Sequence, residues 1–337
     1  MATVVVLPGD GIGPVVIAET MKILTCIAPD LEYIDVPVGL DSLRTYGKAL
    51  TDENLELCRS CDAILFGAVG ESESQPSDSL GKLRHELDLY ANLRPIHFYS
   101  EELCRIKNVS QCDILIVREL SSGIYFGDRE KTDNAAQDVM SYARDEIERV
   151  AHVAFSLAET RKKSLTSVDK ANVLACSQLW RETVSAMAPT YSVMLSHELV
   201  DAFSMKMLMT PHLFDVVLTE NLLGDILSDT ASILSGSIGL LPSASHNKEK
   251  GHALFEPVHG SAPELEKHLP NPIGAILSGA MMLDYLGLKK QKEAVETAVH
   301  RVIHQGYHTF DMRGSPEKLV TTQKMGELIM KELHIFR

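Results

Sequence analysis

The chain has 337 residues, 45% hydrophobic and 23% charged, with 32 basic and 46 acidic side chains and a formal net charge of −14. That length holds about two domains, and the acidic balance argues against nucleic acid or an anionic membrane as partner. No apolar run reaches the roughly 18 residues of a membrane-spanning helix.

Val4 to Leu7 reads as a strand, with no basic leader before it, so a cytoplasmic location is expected. Gly9-Asp-Gly-Ile-Gly13 follows it and opens a helix at Pro14, with Glu32 about 20 residues on. A dinucleotide fingerprint needs its third glycine at position 14, which is Pro14. The segment therefore reads as a tight strand-to-helix turn, since proline suits the first helical position. Cys58 and Cys61 form a C-x-x-C without a second pair or paired histidines, so neither zinc nor a disulfide framework is expected from the six cysteines.

Ile64 to Phe66 and Ile114 to Val117 are further apolar strands. An amphipathic helix around Glu146 to Thr160 and a strand near Leu165 to Val168 follow. Asp215 to Leu218 leads into another helix, and two more are expected at about Gly274 to Leu286 and Lys289 to Gln305. Continuous rather than alternating apolar strands belong to sheets covered on both faces, so the class is α/β.

The helix after Leu218 reads Asn221-Leu-Leu-Gly-Asp-Ile-Leu-Ser-Asp229. Spacing of four stacks Asn221, Asp225 and Asp229 on one face. Two carboxylates roughly 6 Å apart repel unless a cation lies between them, so the stripe predicts half of a Mg²⁺ or Mn²⁺ site. Leu222, Leu223, Ile226 and Leu227 make the rest of the helix apolar, which places the acids near the interior. Arg84, Arg94 and Arg118 sit in structured contexts, and the guanidinium fork grips carboxylates bidentately. Three of them beside a metal predict a substrate with more than one carboxylate. Lys170 ends a strand, where neighbouring cations would lower its pKa and make it a base. Tyr125 lies just beyond Arg118, and His259 to Glu264 form a loop of small residues that lets a ligand approach the backbone.

The motifs as a set resemble the β-decarboxylating dehydrogenases, the isocitrate and isopropylmalate dehydrogenase family. They are Gly9-Asp-Gly-Ile-Gly-Pro14, Ala91-Asn-Leu-Arg-Pro95, Val117-Arg-Glu-Leu120 with Gly123-Ile-Tyr-Phe-Gly127, Val168-Asp-Lys-Ala-Asn-Val173, the Asn221 to Asp229 stripe, Leu240-Leu-Pro-Ser-Ala-Ser245 and Glu256-Pro-Val-His-Gly-Ser-Ala-Pro263. The Glu-Leu-x-x-Gly-Ile-Tyr-Phe-Gly run resembles the 3-isopropylmalate branch. The resemblance implies a two-domain α/β fold of mixed sheets flanked by helices, without a Rossmann domain. Residues 1–89 with 237–337 would bind cofactor. Residues 90–236 would bind substrate and metal and form the dimer.

It also implies roles. Arg84, Arg94 and Arg118 would bind the malate carboxylates, with Leu80 and Asp201 also at the substrate. Asp225 and Asp229, with Asp201 from a second subunit, would hold Mg²⁺ or Mn²⁺. Lys170, borrowed across a homodimer with shared active sites, would take the hydroxyl proton, and Tyr125 would protonate the enol carbon. Ile12, His259, Gly260, Ser261, Ala262, Glu264 and Asn271 would bind the cofactor. An acid at Glu264 repels a 2′-phosphate and so implies NAD rather than NADP. The implied reaction is NAD-dependent oxidative decarboxylation of 3-isopropylmalate, a 2-hydroxy dicarboxylate, in leucine biosynthesis.

Three positions depart from the family. Gly81 stands where a leucine would line the substrate's alkyl pocket, Ser77 where a glutamate is expected near the nicotinamide, and Val15 where glutamate is usual. Homoisocitrate, isocitrate, another 3-alkylmalate, malate or tartrate is therefore the alternative substrate. A catalytically silent regulatory subunit is the alternative of another class, but such subunits lose a metal aspartate, the lysine or the tyrosine, all of which are present here.

Overall fold

The computed structural model describes residues 1–70 and 79–334, apart from the side chains of residues 266–268; Ser77 lies outside the described residues. The strands in chain order are β1 (Thr3–Gly9), β2 (Glu32–Asp35), β3 (Ala63–Ala68), β4 (Ala91–His97), β5 (Asp113–Glu119), β6 (Arg129–Lys131), β7 (Ala136–Asp138), β8 (Ser164–Asp169), β9 (Met194–Leu199), β10 (Val216–Thr219), β11 (Pro242–Asn247) and β12 (His252–Pro257). The helices are α1 (Gly13–Ile27), α2 (Leu40–Tyr46), α3 (Asp52–Ser60), α4 (Ser79–Glu86), α5 (Arg144–Thr160), α6 (Ala175–Met187), α7 (Val200–Met209), α8 (Asn221–Ser235), α9 (Ile273–Tyr285), α10 (Lys289–His304) and α11 (Thr322–His334).

The chain divides into two compact units. The first comprises residues 1–88, 99–105 and 235–337. Its strands run β2-β1-β3-β12-β11, parallel except for the β12–β11 hairpin. Val4, Val5, Leu7, Ile64, Leu65 and Phe66 are almost wholly buried. This agrees with the continuous apolar runs expected of a covered sheet; α1 packs on β1 and β3, and beside it α9 packs on β3, β11 and β12. The turn after β1 shows why Gly9 and Gly11 are glycines. Their φ values are +77° and +58°, and an added Cβ would lie 1.8 Å from the Ala68 carbonyl oxygen and 2.1 Å from that of Ser261.

The second unit comprises residues 89–98 and 106–234. Its strands run β4-β5-β10-β8-β9, with β4 antiparallel to β5 and the others parallel. The apolar face of α5 packs on β5, β10 and β8, and Trp180 of α6 is fully buried beside Tyr142. β6 and β7 form a separate exposed hairpin. Each unit is α/β, with mixed strands flanked by helices, in agreement with the expected fold class.

Candidate active site

Five of the expected residues meet at one end of the second unit's sheet. Asn92 on β4 lies directly opposite Arg118 on β5, and Arg94 is two residues further along β4. A period of two puts all three side chains on one face. Arg94 Nε donates to Asn92 Oδ1 at 2.9 Å. β10 pairs with β5 on its other side and turns through Glu220 into α8, which lays Asn221, Asp225 and Asp229 over that face. Gly224 permits the crossing, because an added Cβ would lie 2.7 Å from Arg118 Cγ.

The repelling acid pair is compensated by arginine. Arg94 Nη1 lies 3.4 Å from Asp225 Oδ1 and 3.1 Å from Asp229 Oδ1, and it donates to Ser228 Oγ at 2.6 Å. Arg118 Nη1 bonds Asp225 Oδ1, and its Nε and Nη2 donate to Asn221 Oδ1 at 3.1 and 2.7 Å. Both arginines are about 95% or more buried, so these partners prevent unpaired charge in a low-dielectric site. Tyr125 ends a 3₁₀ turn (Gly123–Tyr125) and donates its hydroxyl to Asp225 Oδ2 at 3.0 Å, with the Arg118 guanidinium 5.7 Å from the ring centre. Burial, and then the Asp225 charge, push the Tyr125 phenol above its ordinary value. Burial likewise raises Asp229, against the pull of Arg94.

The expectation that this helix runs through apolar interior needs correcting. Ile226 is 57% exposed and Asp229 is an exposed residue, although Leu227 and Ser228 are buried. Only the face of α8 toward the arginines is covered, so the acids stand at the rim between guanidinium and solvent.

Lys170 and Asp201 form a separate pair at 2.5 Å. Lys170 follows Asp169, whose carboxylate takes Nε and Nη2 of Arg181 at 2.9 and 2.8 Å and caps the Ala171 N–H. Asp201 lies in the first turn of α7, and the Lys170 contact holds its carboxyl below the usual carboxylate range. Among the described residues, no three acid, imidazole or thiol groups gather as a metal set within the chain.

The remaining expected residues lie in the first unit. Arg84 is on α4, where Nη2 bonds Glu256 Oε1 at 2.8 Å. Leu80 and Gly81 are four and three residues before it, on the same helix face. The loop expected from the resemblance to bind cofactor follows β12, and the Ile12 N–H donates to the Ser261 carbonyl at 2.9 Å. His259 Nδ1 lies 3.0 Å from the Gly260 carbonyl, its Nε2 has no hydrogen bond among the described residues, and burial lowers its pKa. Among the described residues nothing stands within 4 Å of where a Gly260 Cβ would be, Ala262 has φ +35°, and Glu264 is exposed on the 3₁₀ turn Pro263–His268. Asn271 is buried, accepts the Ile273 N–H at 3.0 Å to cap α9, and donates to Asp311 at 3.2 Å.

Asn92, Ser228 and Glu256, which help hold the three arginines, are not among the residues expected from sequence, and Asn221 was singled out in the stripe but not as a partner of Arg118. A signal existed for Asn92, two residues before Arg94 in a strand. None existed for Glu256, 172 residues from its partner.

A family model described as isocitrate/isopropylmalate dehydrogenase matches residues 3–329. A 3-isopropylmalate dehydrogenase of Shouchella clausii is 45% identical, the match covering 98% of this chain and 97% of that protein. Among solved structures, isocitrate dehydrogenase from Methylococcus capsulatus superposes with a TM-score of 0.92 at 33% identity, covering 99% of each chain. A β-decarboxylating dehydrogenase from Thermococcus kodakarensis gives 0.86 at 39%, covering 99% of this chain and 97% of that one.

Proposed function

Because the chain belongs to the isocitrate/isopropylmalate dehydrogenase family, we propose that it catalyses the NAD-dependent oxidative decarboxylation of (2R,3S)-3-isopropylmalate to 4-methyl-2-oxopentanoate and CO₂, in leucine biosynthesis. The observation that carries the reading is the pair of buried arginines set against a carboxylate pair and a tyrosine hydroxyl.

The donor set suits a hard divalent cation. One oxygen each of Asp225 and Asp229 converges on Arg94 Nη1 within 3.4 Å, so two anionic oxygens already address a shared positive centre. Asp225, Asp229 and the partner subunit's Asp201 would hold Mg²⁺ or Mn²⁺. Such a cation, when bound, supplies Lewis acidity at the substrate hydroxyl and its neighbouring carboxylate. The loop from His259 to Glu264, with Ile12 and Asn271, would hold NAD, which accepts the hydride when bound. The orphan Nε2 of His259 and the open space at Gly260 suit a ligand there, and the exposed Glu264 carboxylate disfavours the 2′-phosphate of NADP.

Arg94 and Arg118, and Arg84 by family resemblance, bind and orient the carboxylates. Lys170 takes the hydroxyl proton after exchanging its Asp201 contact. The Tyr125 phenol, kept protonated by burial and by Asp225, delivers a proton to carbon once CO₂ has left. The shared-site reading makes the protein a cytoplasmic homodimer. Met194, Met205, Met209 and Leu213, all 62–74% exposed around β9 and α7, supply an apolar surface suited to a second copy. A malate with another 3-substituent is the second reading, favoured by the missing side chain at Gly81 one turn from Arg84.

The test is kcat/KM across 3-isopropylmalate, isocitrate, homoisocitrate, malate and tartrate, each with NAD and with NADP. Highest efficiency with 3-isopropylmalate and NAD is expected. A different best acid overturns the substrate assignment, and equal use of NADP overturns that of the cofactor.

A further inference from the structure

Asn221 has no role in the reaction described above, yet it is fully buried and uses all of its polar groups. Its Oδ1 accepts Nε and Nη2 of Arg118 at 3.1 and 2.7 Å, its Nδ2 donates to the Ser122 carbonyl at 3.0 Å, and its backbone N–H donates to the Tyr142 hydroxyl at 3.0 Å. We infer that Asn221 is a positioning residue: it fixes the plane of the Arg118 guanidinium and ties it to the turn that presents Tyr125, so that the anion-binding and proton-donating groups share one anchor. The inference rests on the malate-binding role proposed for Arg118.

The chemistry requires an amide. Two acceptor lone pairs on Oδ1 hold the guanidinium edge without adding a second negative charge to that of Asp225. The amide nitrogen at the same time donates to Ser122, which directly precedes the Gly123–Tyr125 turn. Aspartate is nearly isosteric but would set a second carboxylate beside Arg118, leaving an excess negative charge against an incoming dicarboxylate, and could not donate to Ser122. Alanine would free both. Leucine would leave the Ser122 carbonyl and two guanidinium donors buried without partners.

With Mg²⁺ present throughout, the full-length protein is compared with Asn221→Asp and Asn221→Ala by thermal unfolding, by steady-state kinetics with 3-isopropylmalate and NAD, and by calorimetric titration with 2-isopropylsuccinate, a dicarboxylate lacking the hydroxyl to be oxidised. Asn221→Asp should keep the parental Tm within a few degrees. It should raise KM for the malate and Kd for the succinate by about tenfold or more, the size of one lost charge-assisted hydrogen bond. KM for NAD should stay within twofold. Asn221→Ala should add a fall in kcat, because the Tyr125 turn is released. A dicarboxylate KM and Kd within twofold of the parent in a folded Asn221→Asp protein overturns the inference, whatever happens to Tm. If the parent binds the succinate but turns over no malate, the reaction assignment fails while the Kd ratio still decides the role of Asn221. If the parent binds no dicarboxylate, both fail.

Discussion

Glu220 should lower the stability of the protein at neutral and alkaline pH, and its neutral isostere should be more stable there. The three parallel strands β5, β10 and β8 end side by side, with Thr219 opposite both Arg118 and Val168. The next residue on each strand is Glu119, Glu220 or Asp169, and all three are buried. Glu119 accepts the N–H groups of Ser121 and Ser122 and the Ser121 hydroxyl, and Asp169 is paired with Arg181. Among the described residues no cation pairs with Glu220. Burial first, then the charges of Asp169 and Glu119, raise its pKa from 4.5 to about 7. A raised carboxyl binds its proton more tightly in the folded state. Its contribution is therefore fully present below 4.5 and is lost as pH rises toward 7. At 1.36 kcal/mol per pH unit the full loss is about 3 kcal/mol, of which about 2.5 falls between pH 5 and pH 8.5. Glu220→Gln removes the titration and keeps the shape. Urea unfolding of parent and variant at both pH values should show the variant gaining roughly 2–3 kcal/mol on the parent as pH rises. A stability difference that stays constant between pH 5 and 8.5 would refute the reasoning.

Four other outcomes are expected. His246, buried on β11 with neither ring nitrogen hydrogen-bonded among the described residues, is lowered to about 4, so the protein should lose about 3 kcal/mol between pH 7 and pH 4 through this group. His246→Leu should flatten that acid limb in the same unfolding assay. Gly9→Ala should cost more than about 3 kcal/mol, visible as a fall in Tm or in soluble yield, because φ is +77° and the Cβ would strike the Ala68 carbonyl. Inactive Lys170→Ala and Arg94→Ala proteins, mixed under conditions of subunit exchange, should recover roughly a quarter of parental activity, the share of intact sites in a random mixture of dimers. Chelation by EDTA should weaken calorimetric binding of 2-isopropylsuccinate by at least about tenfold, reversed by Mg²⁺ or Mn²⁺; an unchanged Kd would contradict a metal role in binding.

The parts of this protein legible in its sequence are those set by local periodicity. β1, β3, β5 and β10 are readable because strands buried on both faces are continuously apolar, and the Asn221 to Asp229 stripe because a spacing of four is a helical face. The tight turn at Gly9 to Pro14 was legible because proline displaces the fingerprint glycine. What stayed hidden depends on strand order and register. Nothing local says that β10 lies between β5 and β8, so the buried layer of Glu119, Glu220 and Asp169 cannot be seen along the chain. The antiparallel register that sets Asn92 opposite Arg118 is equally invisible. Helical periodicity marked Ile226 as apolar without saying that its side of α8 would be uncovered. The same limit bears on the stripe itself. Read alone, Asp225 and Asp229 carry two negative charges in want of a cation. In the folded unit they already face the two positive charges of Arg94 and Arg118, and the four groups sum to zero. A dicarboxylate approaching them meets no net attraction, because each guanidinium is engaged by an aspartate. A divalent cation on the aspartates would restore a charge of +2, the complement of a malate dianion. The carboxylates thus regulate the arginines as much as they offer metal ligands, and the two roles are linked through the same oxygens.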